Sequence, residues 1–278
     1  VGVFDVSHMG EFLIEGEHAL DLIQKVSSND ASKLTIGKAQ YSCLPNDNGG
    51  IVDDLIIYKV KENTYLLVVN ASNIEKDWNW IQSKNDVGAE MKDISEDYSL
   101  LAIQGPKAVE AMQSLSSIDL SSIKFYNFEI ADFAGIDHVI ISATGYTGSG
   151  GFEIYCKNSE VEQIWNRVFL AGAKFGIKPI GLAARDTLRT EMGYCLYGND
   201  IDDTTSPLEA GLGWITKLKK EADFNSKSIF IDQKAAGLKR KLVGFKMNAS
   251  RVPRHGYKIY NEQEEEIGVV TSGTQSPT

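Results

Sequence analysis

The chain has 278 residues, 42% of them hydrophobic and 24% charged, which suits a soluble protein of about two domains with real cores. Its net charge of −10 argues against a general nucleic-acid role, because phosphate binding needs a concentrated basic surface. No apolar run approaches the roughly 20 residues that cross a bilayer, and the N-terminus lacks the order of a signal peptide. A cytoplasmic protein, or a mitochondrial-matrix one in a eukaryote, is the expectation. Cys43, Cys156 and Cys195 are sparse, far apart and odd in number, as a reducing compartment permits, so buried free thiols are expected. His8, His18, His138 and His255 lie too far apart in sequence to propose a metal site.

Val1-Gly2-Val3-Phe4-Asp5 opens with neither Met, helix start nor loop, and residues 271–278 read as a turn leading onward. The chain is therefore read as a piece of a longer one. Residues 10–16 alternate weakly and predict a short strand. Ala19, Leu20, Leu22, Ile23 and Val26 recur at helical spacing and predict a helix over 18–26. Residues 39–44 and 51–60 read as strands joined by Pro45-Asn46-Asp47-Asn48-Gly49-Gly50, a linker dense in turn formers, which predicts a β-hairpin. A strand at 65–70 follows. Ser72-Asn73-Ile74-Glu75 has the order of a capping box and predicts a helix through Trp78, Trp80 and Ile81.

Further strands are predicted at 98–104, 124–131, 137–143 and 152–156, with helices at 106–115, 161–175 and 182–192. Pro106 occupies a first helical turn, where its missing N–H costs nothing. From 239 onward the texture turns to strands, at 239–247, 256–260 and 266–271. Mixed elements followed by an all-β tail predict an α+β region over 1–218 and a second, truncated β-barrel domain beginning at 239–278.

Four segments invite chemistry. Asp53 and Asp54 lie inside an apolar strand, and alternation sends them to opposite faces, so they form no local shared-proton dyad. Asp54 shares its face with Ile56 and Tyr58, Asp53 with Ile51, Leu55 and Ile57. A carboxylate among apolar groups is costly unless paired or used, though acids at a frayed strand start would simply bond turn amides. Gly145-Tyr146-Thr147-Gly148-Ser149-Gly150-Gly151-Phe152-Glu153 is glycine-rich but lacks a phosphate-loop ending; it reads as a hairpin loop or a close approach to a ligand. Glu153 is placed there to accept N–H bonds. In Gly181-Leu182-Ala183-Ala184-Arg185-Asp186-Thr187-Leu188-Arg189, the arginines share one helical face, as surface charge or as a grip on a carboxylate. Finally, residues 217–241 hold eight basic and three acidic side chains, a solvated linker face or a patch for an acidic partner.

Taken together these segments resemble the glycine cleavage T-protein family. The resemblance rests on Gly2-Val3-Phe4-Asp5-Val6-Ser7-His8-Met9-Gly10, Gly49-Gly50-Ile51-Val52-Asp53-Asp54-Leu55-Ile56 and Val69-Asn70-Ala71-Ser72-Asn73. It continues through Gln104-Gly105-Pro106, Thr144-Gly145-Tyr146-Thr147-Gly148, residues 181–186, Pro207-Leu208-Glu209-Ala210-Gly211-Leu212, Ser272-Gly273 and Ser276-Pro277-Thr278. Each is weak alone; their order along the whole chain is specific. It implies clover-like α+β subdomains around a central channel, a C-terminal β-barrel, and transfer of a one-carbon unit from the aminomethyl-lipoyl arm of H-protein to tetrahydrofolate with release of ammonia. It further implies no metal, Asp54 as the essential acid near the receiving nitrogen, Glu153 on the pterin, and Arg185 near the acidic tail. Tyr58, Asn70, Tyr126, Tyr146 and Tyr194 fall where the family lines the channel. Two related groups are the folate-dependent demethylases and the folate-binding iron–sulfur assembly factors. The latter carry a Lys-Gly-Cys-Tyr signature, from which Met192-Gly193-Tyr194-Cys195 departs.

Overall fold

A computed structural model describes residues 1–249 and 251–277. In its first half, β1 (Gly2–Asp5), β2 (Gly10–Glu15), α1 (Ala19–Val26), β3 (Lys38–Pro45), β4 (Ile51–Lys61), β5 (Thr64–Val69), α2 (Ile74–Ser83) and β6 (Glu90–Asp93) follow one another. Next come β7 (Tyr98–Gln104), α3 (Ala108–Met112), β8 (Phe128–Phe133), β9 (Ile136–Ser142), β10 (Gly151–Lys157), α4 (Val161–Gly172), β11 (Lys178–Pro179) and α5 (Leu182–Glu191). The last elements are α6 (Lys227–Ala236), β12 (Lys258–Tyr260) and β13 (Glu266–Val269).

The strands form a five-stranded sheet, β3-β4-β5-β2-β6, a six-stranded sheet, β11-β1-β7-β10-β9-β8, and a pair, β12-β13. Alternation then decides the layers. In β7, Leu101 and Ile103 join one core with Ala108 and Met112 of α3 and Ile164 and Val168 of α4. Leu100 and Ala102 face the other way and meet Tyr58, Leu66 and Val68 of the five-stranded sheet. On that sheet's far side, Phe12, Leu55, Ile57 and Leu67 pack on Leu22 and Ile23 of α1 and Ile81 of α2. The order is therefore helices, sheet, sheet, helices, the mixed α+β class that the sequence predicts. Each wholly buried large apolar side chain contributes about 1.5–3 kcal/mol, so the middle core holds the two sheets firmly face to face and the outer two hold the helices against them. Among the described residues no helix is long and apolar enough to cross a membrane.

The predicted hairpin is present, with Cys43 opposite Asp54 in an antiparallel ladder. Some boundaries differ. The capping box does not form: Ser72 falls inside a 3-10 turn (Ala71–Asn73), and Asn73 becomes the N-cap of α2 without a side-chain cap bond. The Asn73 amide is spent on Asp53 instead, at 2.7 Å. The strand predicted at 124–131 starts only at Phe128, because Tyr126 adopts a left-handed φ of 61°. No strand forms at 239–247; Leu242 N–H bonds Glu209 O at 2.8 Å and the Arg240 side chain bonds Thr204 O at 2.7 Å, which tether the segment without making a ladder. The segment 217–239 contains α6, which no sequence signal suggested. The opening residues are strand β1, paired with both β7 and β11. Thr278, the end of the predicted terminal turn and of the Ser276-Pro277-Thr278 match, lies outside the described residues.

Candidate active site

Where the inter-sheet core gives out, a cavity of about 480 Å³ opens. Asp54 of β4 stands on its wall because alternation gives it the inter-sheet face, the one it shares with Ile56. Asp54 Oδ2 accepts the Tyr41 hydroxyl at 2.8 Å, and Oδ1 accepts the Asn70 amide at 2.9 Å. Burial first, and the Asp53 charge second, raise its pKa to about 7, while the bonds from Tyr41 and Asn70 pull the other way. A carboxyl poised near neutrality is suited both to accept a proton and to face a developing cation.

Asp53 points to the opposite face, as alternation requires, and is wholly buried. It is nonetheless joined to Asp54. Asn70 sits just beyond the end of β5, and its Nδ2 donates to Asp53 Oδ1 at 2.8 Å as well as to Asp54. The two acids make no dyad, yet one amide holds both.

Glu153 of β10 lines the cavity from the six-stranded sheet. Its Oε2 accepts the Thr144 hydroxyl at 2.5 Å. Burial raises its pKa, opposed by the Thr144 bond and the Arg185 charge, so N–H donors of a ligand would favour its ionised form. Tyr58 does not line the cavity. It is fully buried behind it, bonding Thr144 Oγ1 at 3.2 Å and Tyr155 OH at 3.0 Å, so it braces the hydroxyl that holds Glu153. Gly145 must be glycine for a plain reason: a Cβ there would lie 2.0 Å from Gln104 Oε1. Gln104 in turn takes the Thr147 hydroxyl at 2.9 Å and donates to Thr144 O and Phe152 O, which fixes the loop as more than a simple hairpin turn.

The outer wall is aromatic and cationic. Arg185 lies over the Tyr146 ring, 4.3 Å from its centroid, and Tyr146 stacks on Tyr194 at 5.9 Å. The Tyr146 hydroxyl donates to Cys195 O, which sets the ring's position. Tyr126 also lines the cavity, presented by its left-handed backbone, a conformation that costs a bulky residue about 1–3 kcal/mol and is held by bonds to Ala39 and Ala143.

Arg185 and Arg189 have separate destinations. Arg189 is 2% exposed, bonding Asp186, Asp200 at 2.6 Å, Tyr194 O at 3.2 Å and Ser272 Oγ at 2.9 Å. It fastens α5 to the segment carrying Tyr194. The structure thus gathers Asp54, Asn70, Tyr126, Tyr146, Glu153, Arg185 and Tyr194 around one space and places Tyr58 behind it. Sequence reasoning missed Tyr41 and Trp214, whose rings lie 6.0 Å apart at this wall. The hairpin register held the signal for Tyr41: with Cys43 opposite Asp54, Tyr41 is the next residue on that face. Nothing local marks Trp214. Among the described residues no group of three or more His, Cys, Asp or Glu side chains is arranged to hold a metal.

The arrangement suits a flat molecule with N–H groups at the Glu153 end, a reacting nitrogen at Asp54 and a negative group near Arg185. Comparison with known proteins bears on which molecule that is. The family model of the GCVT N-terminal domain matches residues 1–220, and that of the glycine cleavage T-protein C-terminal barrel domain matches residues 240–278. An aminomethyltransferase of Flavobacterium psychrophilum is 68% identical over all 278 residues, which span 77% of that protein. One from Halothermothrix orenii is 49% identical over 277 residues, again 77% of its length. The crystal structure of glycine cleavage system aminomethyltransferase T from Bartonella henselae superposes with a TM-score of 0.89 at 32% identity, over 98% of this chain and 74% of that one.

Proposed function

Since the chain belongs to the glycine cleavage T-protein family, tetrahydrofolate-dependent aminomethyltransferases, we propose that it takes the aminomethyl group from the lipoyl arm of H-protein. The one-carbon unit passes to tetrahydrofolate and ammonia is released. The observation that carries this reading is the Asp54 carboxyl on the cavity wall, held by Tyr41 and Asn70 and poised near neutrality.

Each residue then has a chemical task. Glu153 accepts the N–H edge of the pterin, whose donors draw it toward the carboxylate. Tyr126, Tyr146 and Tyr194 give the flat ring system apolar walls. Arg185, placed over Tyr146, meets the acidic tail. Asp54 faces the folate nitrogen that receives the carbon. There it stabilises the positive charge that develops as ammonia leaves, orients the amine, and can take its proton. Exclusion of water by the aromatic walls strengthens that electrostatic contribution.

Asp54→Asn keeps the shape and the Asn70 neighbour but removes the charge and the proton acceptor. Turnover with aminomethylated H-protein and tetrahydrofolate should fall by about 10²-fold or more while folate affinity stays near that of the parent. The assay is ammonia release with and without tetrahydrofolate. Near-parental turnover in this variant would refute the assignment.

A further inference from the structure

Behind Asp53, on the first turn of α2, lies a third acid. Asp77 is 0% exposed, and neither of its oxygens is reached by an N–H or O–H donor among the described residues. Its side chain meets Asp53 instead. Two wholly buried carboxyl groups in contact do not both ionise; one keeps its proton and donates its O–H in a hydrogen bond to the other.

The donors decide which one keeps it. Asp53 receives Asn70 N–H at 3.0 Å, Asn70 Nδ2 at 2.8 Å and Asn73 Nδ2 at 2.7 Å. Three donors aimed at one carboxyl are the surroundings of an anion, and an ionised carboxylate accepts only. Asp77 has none, so it is the acid, and its O–H supplies Asp53 with a fourth bond. Lys76, the adjacent cation, offsets this only in part: its charge lowers the Asp77 pKa, but its Nζ bonds Tyr197 OH at 2.7 Å and not the carboxyl. Burial, then the Asp53 contact and the Asp53 charge, push the Asp77 pKa up to about 11, in the same direction as the donor count.

We propose that Asp77 is a positioning residue for the transfer reaction, its protonated carboxyl donating to the Asp53 carboxylate and, through the shared Asn70 amide, fixing the orientation and charge environment of Asp54. The proposal rests on the assignment of Asp54 given above. The physical path is short. Asn70 Nδ2 spans Asp53 Oδ1 and Asp54 Oδ1, so the Asp53 anion fixes the rotamer of the amide that addresses Asp54. The same anion adds like charge behind Asp54 and is the second largest cause of its raised pKa. The other titratable groups facing Asp54 are Tyr41 and Cys43 from β3, and Tyr126, Tyr146 and Cys195 from the surrounding loops. Those facing Asp77 are Asp53 and Asp54 from β4, Lys76 from its own helix and Tyr197.

The test is a pH titration of the full chain with aspartate labelled at its side-chain carboxyl carbon, read by carbon NMR, alongside the pH profile of turnover. The parent should show one aspartate titrating near pH 7, lost in Asp54→Asn, and another still protonated at pH 9, lost in Asp77→Asn. Asp77→Asn retains a donor to Asp53 and should leave the Asp54 midpoint within about half a unit of the parent's. Asp77→Leu removes the donor. Asp53, still held as an anion by its three remaining donors, then draws the shared Asn70 amide away from Asp54, and loss of that bond should raise the Asp54 midpoint and the acid limb of turnover by about one unit. Absence of the persistently protonated resonance in the parent would overturn the proposal, and this holds even where Asp77→Leu fails to fold. So would an Asp54 midpoint that is unmoved or lowered in a folded Asp77→Leu. Retained turnover in Asp54→Asn would instead remove the catalytic assignment and leave the Asp77 resonance untouched.

Discussion

Glu11 offers a test of the inter-sheet layer that is independent of catalysis. It lies on β2 opposite Val68, is 1% exposed, and neither carboxyl oxygen finds a donor among the described residues. Burial, reinforced by the Asp93 charge, raises its pKa to about 8 from the usual 4.5. The native state therefore holds a proton that the unfolded chain gives up at lower pH. For a raised acid, the stability is fully present below the unfolded pKa and is lost as pH climbs toward the folded one. Between pH 5 and pH 7 the expected loss from this one group is about 2–3 kcal/mol, a large part of a typical domain's stability. Glu11→Gln keeps the shape and cannot ionise, so its stability should decline less over that interval, by about that amount. Asp54 and Asp77 have raised values too, but they titrate in both proteins and cancel in the difference. Urea unfolding at pH 5, 6 and 7, followed by the fluorescence of the four tryptophans, measures it. Parallel curves for parent and variant would show that Glu11 is solvated or paired, and the reasoning would fail.

Arg185→Ala removes a cation from the cavity mouth and the group stacked on Tyr146, so affinity for tetrahydrofolate should drop about tenfold with a smaller effect on the chemical step; an unchanged dissociation constant in a fluorescence titration would reduce Arg185 to surface charge. Lys220→Met addresses a different part of the fold. The Lys220 ammonium bonds the carbonyls of Gln24 and Ser27 at 2.7 Å and Asn29 at 2.9 Å, closing the C-terminal end of α1. Leaving those buried acceptors unmet should cost about 3 kcal/mol or more in denaturant unfolding while folate affinity holds, and a loss below about 1 kcal/mol would contradict it.

Lys220 also shows how a charge pattern misleads. Within the basic stretch 217–241 it reads as part of a solvated face or a docking patch, whereas it is 6% exposed and serves a helix end. Arg185 and Arg189 make the same point: one helical face carries both, yet one enters the cavity and the other is consumed by Asp186 and Asp200. Charge says what a side chain can bond, and the neighbours that decide its use come from distant segments. The strand texture at 239–247 misled for a related reason, since a strand needs a partner and the local pattern does not provide one.

What the sequence by itself determined is local: the β3–β4 hairpin from its turn-rich linker, the opposite faces of Asp53 and Asp54 from strand alternation, and the α+β class from the succession of elements. The family resemblance carried by its ordered motifs also pointed to seven residues that surround the cavity. The tertiary structure decided the rest. It brought two sheets face to face, so that Asp54 of one and Glu153 of the other share a space, and it placed Tyr58 behind that space as a brace. It also joined across Asn70 the two acids that alternation separates, and set Asp77 of α2 against Asp53 of β4. Alternation fixes the face on which a side chain stands, because it follows from the backbone alone. Which groups meet across that face depends on packing between elements remote in sequence, and only the folded chain settles it.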